Sequence, residues 1–348
     1  MGYGSLGWRS SAATTSLTSL ILQNQSTFIC VTVIYISLMI FGLLGNILTI
    51  LVVWLRPHMR SSTYLYLSSM AVSDLLILLL LPLDLYKVHT QIILVPCMEP
   101  RPWPLGDLAC KLTMFLSECC TFCTILHITL LSLERYLAVC WPITAKTVVT
   151  RHRTRVIIGC LWLGAAVSAA PVLVMVGVED RAGGEADRRE CRCMDYAISS
   201  GLLSAMMILS NLYFLVPLCI LGLVYSLIGR TLWLRPKSSR RDQSHRNTVK
   251  MLGVIVLAFV LCWLPFHVGR TIFSLSLGSG TLTRACRACY FNLVSSILFY
   301  LSAAINPLLY NLMSARYRLA VRSLVHRHSQ THTPRLRTTT TRHSTTTL

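Results

Sequence analysis

The sequence predicts an all-α membrane protein, a bundle of seven transmembrane helices followed by a short amphipathic helix. The chain has 348 residues, of which 54% are hydrophobic and only 13% are charged. This composition is too apolar for a soluble domain of that length. Apolar runs of about 20 residues recur along the chain, and a helix of this length crosses a bilayer. Basic residues collect between alternate runs, as expected for a multi-pass membrane protein.

Few charges interrupt the apolar runs, and seven is the most parsimonious number of membrane-spanning helices. Asp74 breaks the second run, Glu118 breaks the third, and Arg270 closely follows the sixth. Uncharged stretches recur at 28–55, 65–73 with 75–83, 156–178, 196–229, 251–268 and 288–315. We therefore expect four regions: an N-terminal tail over 1–27, the bundle over 28–313, the amphipathic helix over 314–325 and a disordered tail over 326–348.

The distribution of Lys and Arg orients the bundle. With the N-terminus outside, the inner segments hold 20 of the 32 Lys and Arg residues and one acidic residue, Asp242. These segments are 56–62, 141–155, 229–250 and 313–348. Cytoplasmic loops carry an excess of basic residues, so this orientation is favoured. It explains the net charge of +19 better than nucleic-acid binding does, and we expect no nucleic-acid partner.

Each run carries a residue that is unusual in a hydrophobic helix. Polar and ionisable groups inside a membrane are costly and usually mark function. In chain order they are Asn46, Asp74, Glu134-Arg135-Tyr136, Trp162, Pro217, Cys262-Trp263-Leu264-Pro265 and Asn306-Pro307-Leu308-Leu309-Tyr310. A half-buried ion pair such as Glu134–Arg135 contributes little stability and suits a contact that breaks in a second state. The alternative is an ion pair that only anchors the helix end.

Together and in this order, the motifs resemble the rhodopsin-like G-protein-coupled receptors along nearly the whole chain. Longer sequence segments resemble the branch of ghrelin (growth hormone secretagogue) and motilin receptors. The most specific phrase is Cys262-Trp-Leu-Pro-Phe-His-Val-Gly-Arg270. Others are Tyr64–Asp74, Leu81–Tyr86, Arg101–Trp103, Glu134–Cys140, Val176–Glu179, Tyr225–Arg230 and Phe299–Asn306. Asp84-Leu85-Tyr86 and His127 favour the motilin side, and Met114 departs from the glutamine of the ghrelin side.

The resemblance implies a plasma-membrane receptor with an extracellular N-terminus, and no enzyme. It would bind a peptide hormone of the motilin or ghrelin type and activate a heterotrimeric G protein, with signalling through phospholipase C and calcium. The alternative ligand is another neuropeptide, of the neuromedin U or neurotensin type. A seven-span transporter or enzyme is disfavoured, because no internal repeat is apparent and the His-Glu-x-x-His sequence of metalloproteases is absent.

The resemblance also places the ligand site in the outer halves of the helices. Glu118 and Arg270 occupy positions that pair across the cavity in the family, and the alternative is a purely structural bridge. Asp84 lies about 15 Å nearer the outside than Asp74 at 1.5 Å rise per residue. It would receive a peptide's N-terminal amine or serve a structural role. Phe266, Met114 and Ser117 complete the predicted site, and Ser117 replaces the Asp of amine receptors.

Residues nearer the inner face are expected to rearrange on activation. The predicted set that repacks is Trp263, Phe259, Pro217 and Ile125. Arg135 would release Glu134 and turn toward Tyr225 and Tyr310. Polar groups on three helices need partners in a dry interior, and water or a sodium ion would satisfy them. These polar residues are Asp74, Asn46, Ser302 and Asn306, and Asp74 is the expected sodium ligand.

Several peripheral features complete the expectations. Cys110 and Cys191 match the disulfide typical of the family, whereas the pairing of Cys97, Cys193, Cys286 and Cys289 stays open. Asn24-Gln25-Ser26 is a glycosylation sequon. Residues 314–325 have Arg and apolar residues at helical spacing, which suits an interfacial helix on anionic membrane lipid. Phosphorylation of the Thr-rich tail would recruit an arrestin, or the tail is inert. The first outer loop, 88–100, is longer than the family pattern.

Overall fold

The computed structural model describes residues 6–59, 61–93, 103–180, 189–234, 240–276, 282–313 and 315–330. Helices make up nearly all of this part. They are α1 Leu6–Leu55, α2 Ser62–Ile93, α3 Gly106–Cys140, α4 Pro142–Val148, α5 Arg151–Ala169, α6 Val172–Met175, α7 Asp195–Ser199, α8 Leu202–Leu234, α9 Arg240–Ser276, α10 Leu282–Met313 and α11 Ala315–Gln330. A 3-10 turn over Pro57–Met59 joins α1 to α2.

Seven of these helices form the bundle, as predicted. Six segments within the described residues are long and apolar enough to cross a membrane, and α9 contributes a shorter apolar segment, Val256–Ile272. The six are Ser26–Leu55, Ser62–Tyr86, Gly106–Cys140, Arg151–Met175, Leu202–Leu234 and Phe291–Leu309. The fold therefore agrees with the multi-pass membrane protein expected from composition.

Close approach of α1, α2 and α10 depends on a glycine. A Cβ atom at Gly42 of α1 would lie 2.6 Å from Leu78 Cδ1 and 3.1 Å from Ala304 Cβ. Only glycine leaves this space, because interiors are close-packed. Most of the largest fully buried side chains, which include Tyr35, Met70 and Trp263, belong to one core that runs through the bundle.

A short β-hairpin, which we did not predict, covers one end of the bundle. Strands β1 (Val176–Asp180) and β2 (Arg189–Cys193) pair antiparallel, with Val176 opposite Cys193. The disulfide Cys110–Cys191 ties β2 to the first turns of α3, and Asp107 Oδ1 accepts a 2.9 Å hydrogen bond from the Val178 amide. We call this the disulfide end. The opposite end carries Glu134–Arg135 and the α4 segment, and we call it the basic end.

Helices α1, α2 and α11 extend into segments that the sequence suggested were tails or an outer loop. Helix α1 begins at Leu6, inside the expected N-terminal tail. Helix α2 continues to Ile93, inside the expected loop 88–100, of which the remainder lies outside the described residues. Helix α11 ends at Gln330 rather than at 325, and residues 331–348 lie outside the described part. In each case the sequence contains no proline within the extension, so no residue there removes a helical hydrogen bond or clashes with the preceding turn.

Candidate functional site

An ion pair joins α3 to α9 in the half of the bundle nearer the disulfide end. Arg270 Nη1 donates a hydrogen bond to Glu118 Oε2. The Glu118 side chain is only 7% exposed and that of Arg270 is 28% exposed. Glu118 Oε1 is buried and accepts no hydrogen bond from the described residues. The pair therefore presents one acceptor atom that a ligand's donor would satisfy.

His267, one turn before Arg270 on α9, is part of the same region. Its ring stacks on Phe214 with centroids 4.7 Å apart. Its Nε2 atom is buried without a partner in the described part of the chain. Asn211 Nδ2 donates to Thr271 Oγ1 at 3.1 Å, and this bond joins α8 to α9. The sequence analysis did not name His267 as a site residue, although it lies within the segment Cys262–Arg270.

Three other residues of the predicted ligand site make contacts of their own. Met114 is half-buried against the small core of Val172, Met175, Ala197 and Met206. Ser117 is half-buried, and its carbonyl accepts a 2.8 Å hydrogen bond from the Thr121 hydroxyl. Asp84 Oδ2 accepts a hydrogen bond from the Tyr300 hydroxyl. The carboxylate of Asp84 thus already serves as an interhelical contact between α2 and α10.

A chain of aromatic rings leads from the ion pair toward the basic end. Phe266 stacks on Phe299 at 4.7 Å, and Trp263 meets Phe299 edge-on at 5.3 Å. Phe259 follows at 5.6 Å from Trp263. Ile125 and Pro217, from the predicted repacking set, are buried on α3 and α8. A change of packing at one ring of this chain is felt by its neighbours, because cores of this density have few voids.

The expected polar cluster is only partly assembled. Asn306 Nδ2 donates to Asp74 Oδ2 at 2.9 Å. Asn46 Nδ2 instead donates to the Gly42 carbonyl at 2.9 Å and to the Ala303 carbonyl at 3.0 Å. The Ser302 hydroxyl donates to Phe299 O at 2.6 Å, within its own helix. Asn46 and Ser302 therefore satisfy backbone carbonyls, and of the four residues the structure joins Asp74 and Asn306 directly.

At the basic end, Glu134 and Arg135 form a loose ion pair. Arg135 Nη2 lies 3.8 Å from Glu134 Oε2, which is too far for a hydrogen bond. Arg135 Nε and the Tyr225 hydroxyl are both buried without a hydrogen-bond partner among the described residues. Tyr136 accepts a 3.4 Å hydrogen bond from Trp141 Nε1. The side chain of Tyr310 lies outside the described part of the chain.

The cysteines and the sequon complete the placement of the predicted residues. Cys193 is a free thiol, which donates to the Met194 carbonyl at 3.9 Å. Cys97 and the side chains of Cys286, Cys289 and Asn24 lie outside the described part.

A structural contact that we did not predict joins Trp162 Nε1 to Ser69 Oγ at 2.9 Å, linking α5 to α2. The unusual Trp162 therefore has a polar partner in the bundle.

The sequence profile of the family described as "7 transmembrane receptor (rhodopsin family)" matches residues 45–310. The chain belongs to this family. The match runs from the last three turns of α1 to near the end of α10 and includes residues of all seven bundle helices. Membership supports the prediction of a receptor rather than an enzyme, because the family is one of receptors.

The chain is most like receptors of the growth hormone secretagogue and motilin branch among the relatives compared. It is 49% identical to the growth hormone secretagogue receptor type 1 of Sus scrofa over 329 residues, which cover 92% of this chain and 87% of the relative. It is 40% identical to the motilin receptor of Homo sapiens, covering 85% and 80%, and 32% identical to neurotensin receptor type 1 of Rattus norvegicus, covering 83% and 74%. The branch was predicted, but the preference for its motilin side was wrong, because a few signature residues carry less information than identity along the whole bundle.

Proposed function

We propose that this chain is a plasma-membrane, G-protein-coupled receptor for a peptide hormone of the secretagogue or motilin type. The names of its relatives support the ligand class, and the Arg270–Glu118 ion pair with its open Glu118 Oε1 supports the location of the site. The basic end would face the cytoplasm, so the N-terminus would lie outside. The excess of Lys and Arg in the segments at the basic end supports this orientation.

The ligand would engage the ion pair from the disulfide end. Arg270 and Glu118 divide the interior between α3 and α9, and one terminus of a peptide would insert beside them. An ammonium or amide group of the ligand would donate to Glu118 Oε1, since that buried acceptor has no donor among the described residues. Met114, Ser117 and Phe266 would contact the peptide, and Asp84 would respond only by loosening its bond to Tyr300.

Activation would follow from a difference in affinity. A peptide that binds more tightly when α9 is displaced shifts the population toward that state by the ratio of the two affinities. The aromatic chain from Phe266 to Phe259 would transmit the displacement. At the basic end Arg135 would leave Glu134 and turn toward Tyr225, whose buried hydroxyl lacks a partner in the described structure. The opening between α3 and α9 would then admit a segment of the G protein.

A sodium ion would act as an allosteric modulator beside Asp74. Hard monovalent cations take oxygen ligands, and the residues here fit such an ion. Asp74 supplies a buried carboxylate, and Asn46 Oδ1 is a buried amide oxygen that accepts no hydrogen bond from the described residues. The hydroxyl of Ser302 is a further oxygen at this level of α10. The ion would compensate the Asp74 charge in the low-dielectric interior.

The peripheral features belong to the same proposal. Helix α11 carries Arg318 and Arg322 beside the buried Tyr317 and Ala320, which suits contact with anionic lipid. The Thr-rich tail would bind an arrestin after phosphorylation, and glycosylation would occur at Asn24. Signalling would proceed through phospholipase C and calcium.

Calcium release in transfected cells tests the proposed function. Cells that express the receptor would be challenged separately with secretagogue-type, motilin-type, neuromedin-type and neurotensin-type peptides. A response to the first or second class supports the proposal, and a response only to the third or fourth replaces the ligand class. Membranes from the same cells would show weaker agonist binding with a GTP analogue if a G protein couples. An unchanged affinity would contradict coupling.

A further inference from the structure

Four sulfur-containing side chains come together at the disulfide end. Met175 at the end of α6 is 4% exposed and Met206 on α8 is 2% exposed. Both belong to a small cluster that has four buried members. Met114 on α3 and Cys193 on β2 pack against the same cluster. Because the cluster is small, shared membership brings these side chains close together, although they come from four separate elements of the fold.

The disulfide directs two of these side chains toward the cluster. Cys191 is bonded to Cys110 on α3, and Cys193 lies two residues further along β2. Side chains two residues apart in a strand share a face, so Cys193 lies on the face of β2 that meets α3. Met114 follows Cys110 by four residues and therefore lies on the same face of α3, one turn further on.

The hairpin holds the remaining contacts in place and leaves the thiol available. Val176 pairs with Cys193, and the Met175 carbonyl accepts a 2.9 Å hydrogen bond from the Met194 amide. The Cys193 thiol is free, and its hydrogen bond to the Met194 carbonyl is 3.9 Å long. This bond uses the hydrogen of the thiol and not the lone pairs of its sulfur, so the sulfur can still act as a ligand.

We propose that this sulfur cluster binds a soft monovalent metal ion, Cu(I). Soft thiolate and thioether ligands suit Cu(I), whereas Zn²⁺ takes thiolate, imidazole and carboxylate ligands. The metal replaces the proton of the thiol, and that proton is released to solvent. One thiolate neutralises a monovalent ion. A divalent ion would leave a net charge among the aliphatic side chains of the cluster, and an uncompensated buried charge is costly.

The alternative is that the methionines only fill space. Methionine is flexible and packs into irregular gaps of apolar cores. Leucine separates the two cases, because it replaces methionine in cores with little change of volume and has no sulfur. A packing role survives the change from methionine to leucine, and a role as metal ligand does not.

Protection of Cys193 from alkylation tests the binding. The full-length receptor in phosphatidylcholine nanodiscs is equilibrated with Cu(I) at concentrations fixed by the chelator bathocuproine disulfonate, with ascorbate present and air excluded. A maleimide then modifies the accessible thiols, and mass spectrometry measures the modified fraction of Cys193. Bound Cu(I) should protect this residue, because the free thiolate is the nucleophile.

Two neighbouring methionines on α8 provide the matched pair of variants. Met206 belongs to the cluster, whereas Met207 is also buried, at 8% exposed, and lies outside it. Met206→Leu should raise the free Cu(I) concentration for half-protection by about tenfold or more, since the loss of even an outer-shell partner weakens metal binding by roughly 10–100-fold. Met175→Leu should act like Met206→Leu. Met207→Leu should leave the concentration unchanged. Equal protection in both α8 variants would show that the thiol alone holds copper and would overturn the proposal.

X-ray absorption at the copper edge gives a second test, which needs no methionine variant to fold. With one equivalent of Cu(I), the unmodified receptor should show a shell of sulfur neighbours around copper. Cys193→Ser should lose this shell. Nitrogen or oxygen neighbours in the unmodified receptor, or the same sulfur shell in Cys193→Ser, would overturn the assignment.

The occupied site has a consequence for the ligand, and this consequence rests on the proposed function. Met114 belongs to the predicted ligand site, and a thioether held by copper cannot move with a peptide. Cu(I) should therefore weaken binding of a secretagogue-type peptide to the unmodified receptor and to Met207→Leu, and weaken it less in Met206→Leu. Protection of Cys193 without a change in peptide affinity would overturn this coupling. Absence of peptide binding with and without copper would count against the proposed function instead, because the protection is measured without peptide.

Discussion

Arg270 and Glu118 form the one hydrogen-bonded ion pair that joins α3 to α9 within the described residues. Breaking a buried pair leaves the surviving charge uncompensated, a cost on the order of 3–5 kcal/mol, although water reduces it where Arg270 is 28% exposed. We therefore expect Glu118→Ala and Arg270→Ala each to lower agonist potency strongly. The measurement is the agonist concentration for half-maximal calcium release, corrected for surface expression.

The double variant distinguishes a pair from two independent contacts. If the residues act through each other, Glu118→Ala with Arg270→Ala should cost much less than the sum of the single losses, because contacting residues are non-additive. The exchanged pair, Glu118→Arg with Arg270→Glu, should recover part of the potency. Strictly additive losses would show that each residue meets the ligand or solvent separately.

Arg135 should be required for G-protein activation and not for ligand binding. It lies at the basic end, beside the buried Tyr225 hydroxyl and remote from the Arg270–Glu118 pair along α3. Arg135→Ala should abolish agonist-stimulated nucleotide exchange while agonist binding persists at the cell surface. Arg155→Ala, which removes an exposed arginine from the same end, is the matched control. Normal exchange in Arg135→Ala would refute the role of this residue as a latch.

Much of the architecture was predictable because it depends on patterns that are local in sequence. Apolar runs of bilayer length and the distribution of basic residues predict helices and their order without tertiary information. The Cys110–Cys191 disulfide was predicted from resemblance, since nothing local specifies a partner 81 residues away. The hairpin was not predicted, because its strands are five residues each and carry charged residues on both faces.

The side-chain contacts of the site were less predictable, because they depend on helix rotation and local competition. Asn46 was expected near Asp74, yet its amide bridges two backbone carbonyls, Gly42 O and Ala303 O. A backbone carbonyl lies within reach of most polar side chains in a helix, so Ser302 likewise bonds its own helix. Which acceptor a polar side chain bonds depends on distance differences of tenths of an ångström, and the spacing of residues in the sequence does not specify these distances.

Sodium should reduce agonist affinity through Asp74. An ion held beside Asp74 and Asn306, whose amide donates to Asp74 at 2.9 Å, would stabilise the packing of α2 against α10, and activation would disturb this packing. Agonist binding should weaken when sodium replaces N-methylglucamine at constant ionic strength. Asp74→Asn should abolish this dependence, while Ser73→Ala, which alters a neighbouring polar contact to Thr124, should retain it. The same sodium response in Asp74→Asn would place the ion elsewhere or exclude it.

Cys193 should alkylate more slowly than an ordinary thiol and only at raised pH. It lies on β2, between the candidate spans that end at Met175 and begin at Leu202. Burial raises the pKa of its thiol, and the Asp195 carboxylate raises it further against the opposing charge of Arg192. Because the thiolate is the nucleophile, the thiol stays protonated and slow to react until the pH passes this raised pKa. The rate then increases.

The experiment measures modification of Cys193 by an impermeant maleimide on intact cells, with the site assigned by mass spectrometry. The pH at which the rate is half-maximal should be higher for the folded receptor than for the unfolded chain. Asp195→Asn should shift this midpoint down, since one of the charges that disfavour the thiolate is removed. Cys193→Ser should abolish the signal. A folded midpoint at or below that of the unfolded chain would contradict the burial seen in the structure. No signal from intact cells, with signal from opened membranes, would contradict the proposed orientation, because β2 would then lie on the cytoplasmic side.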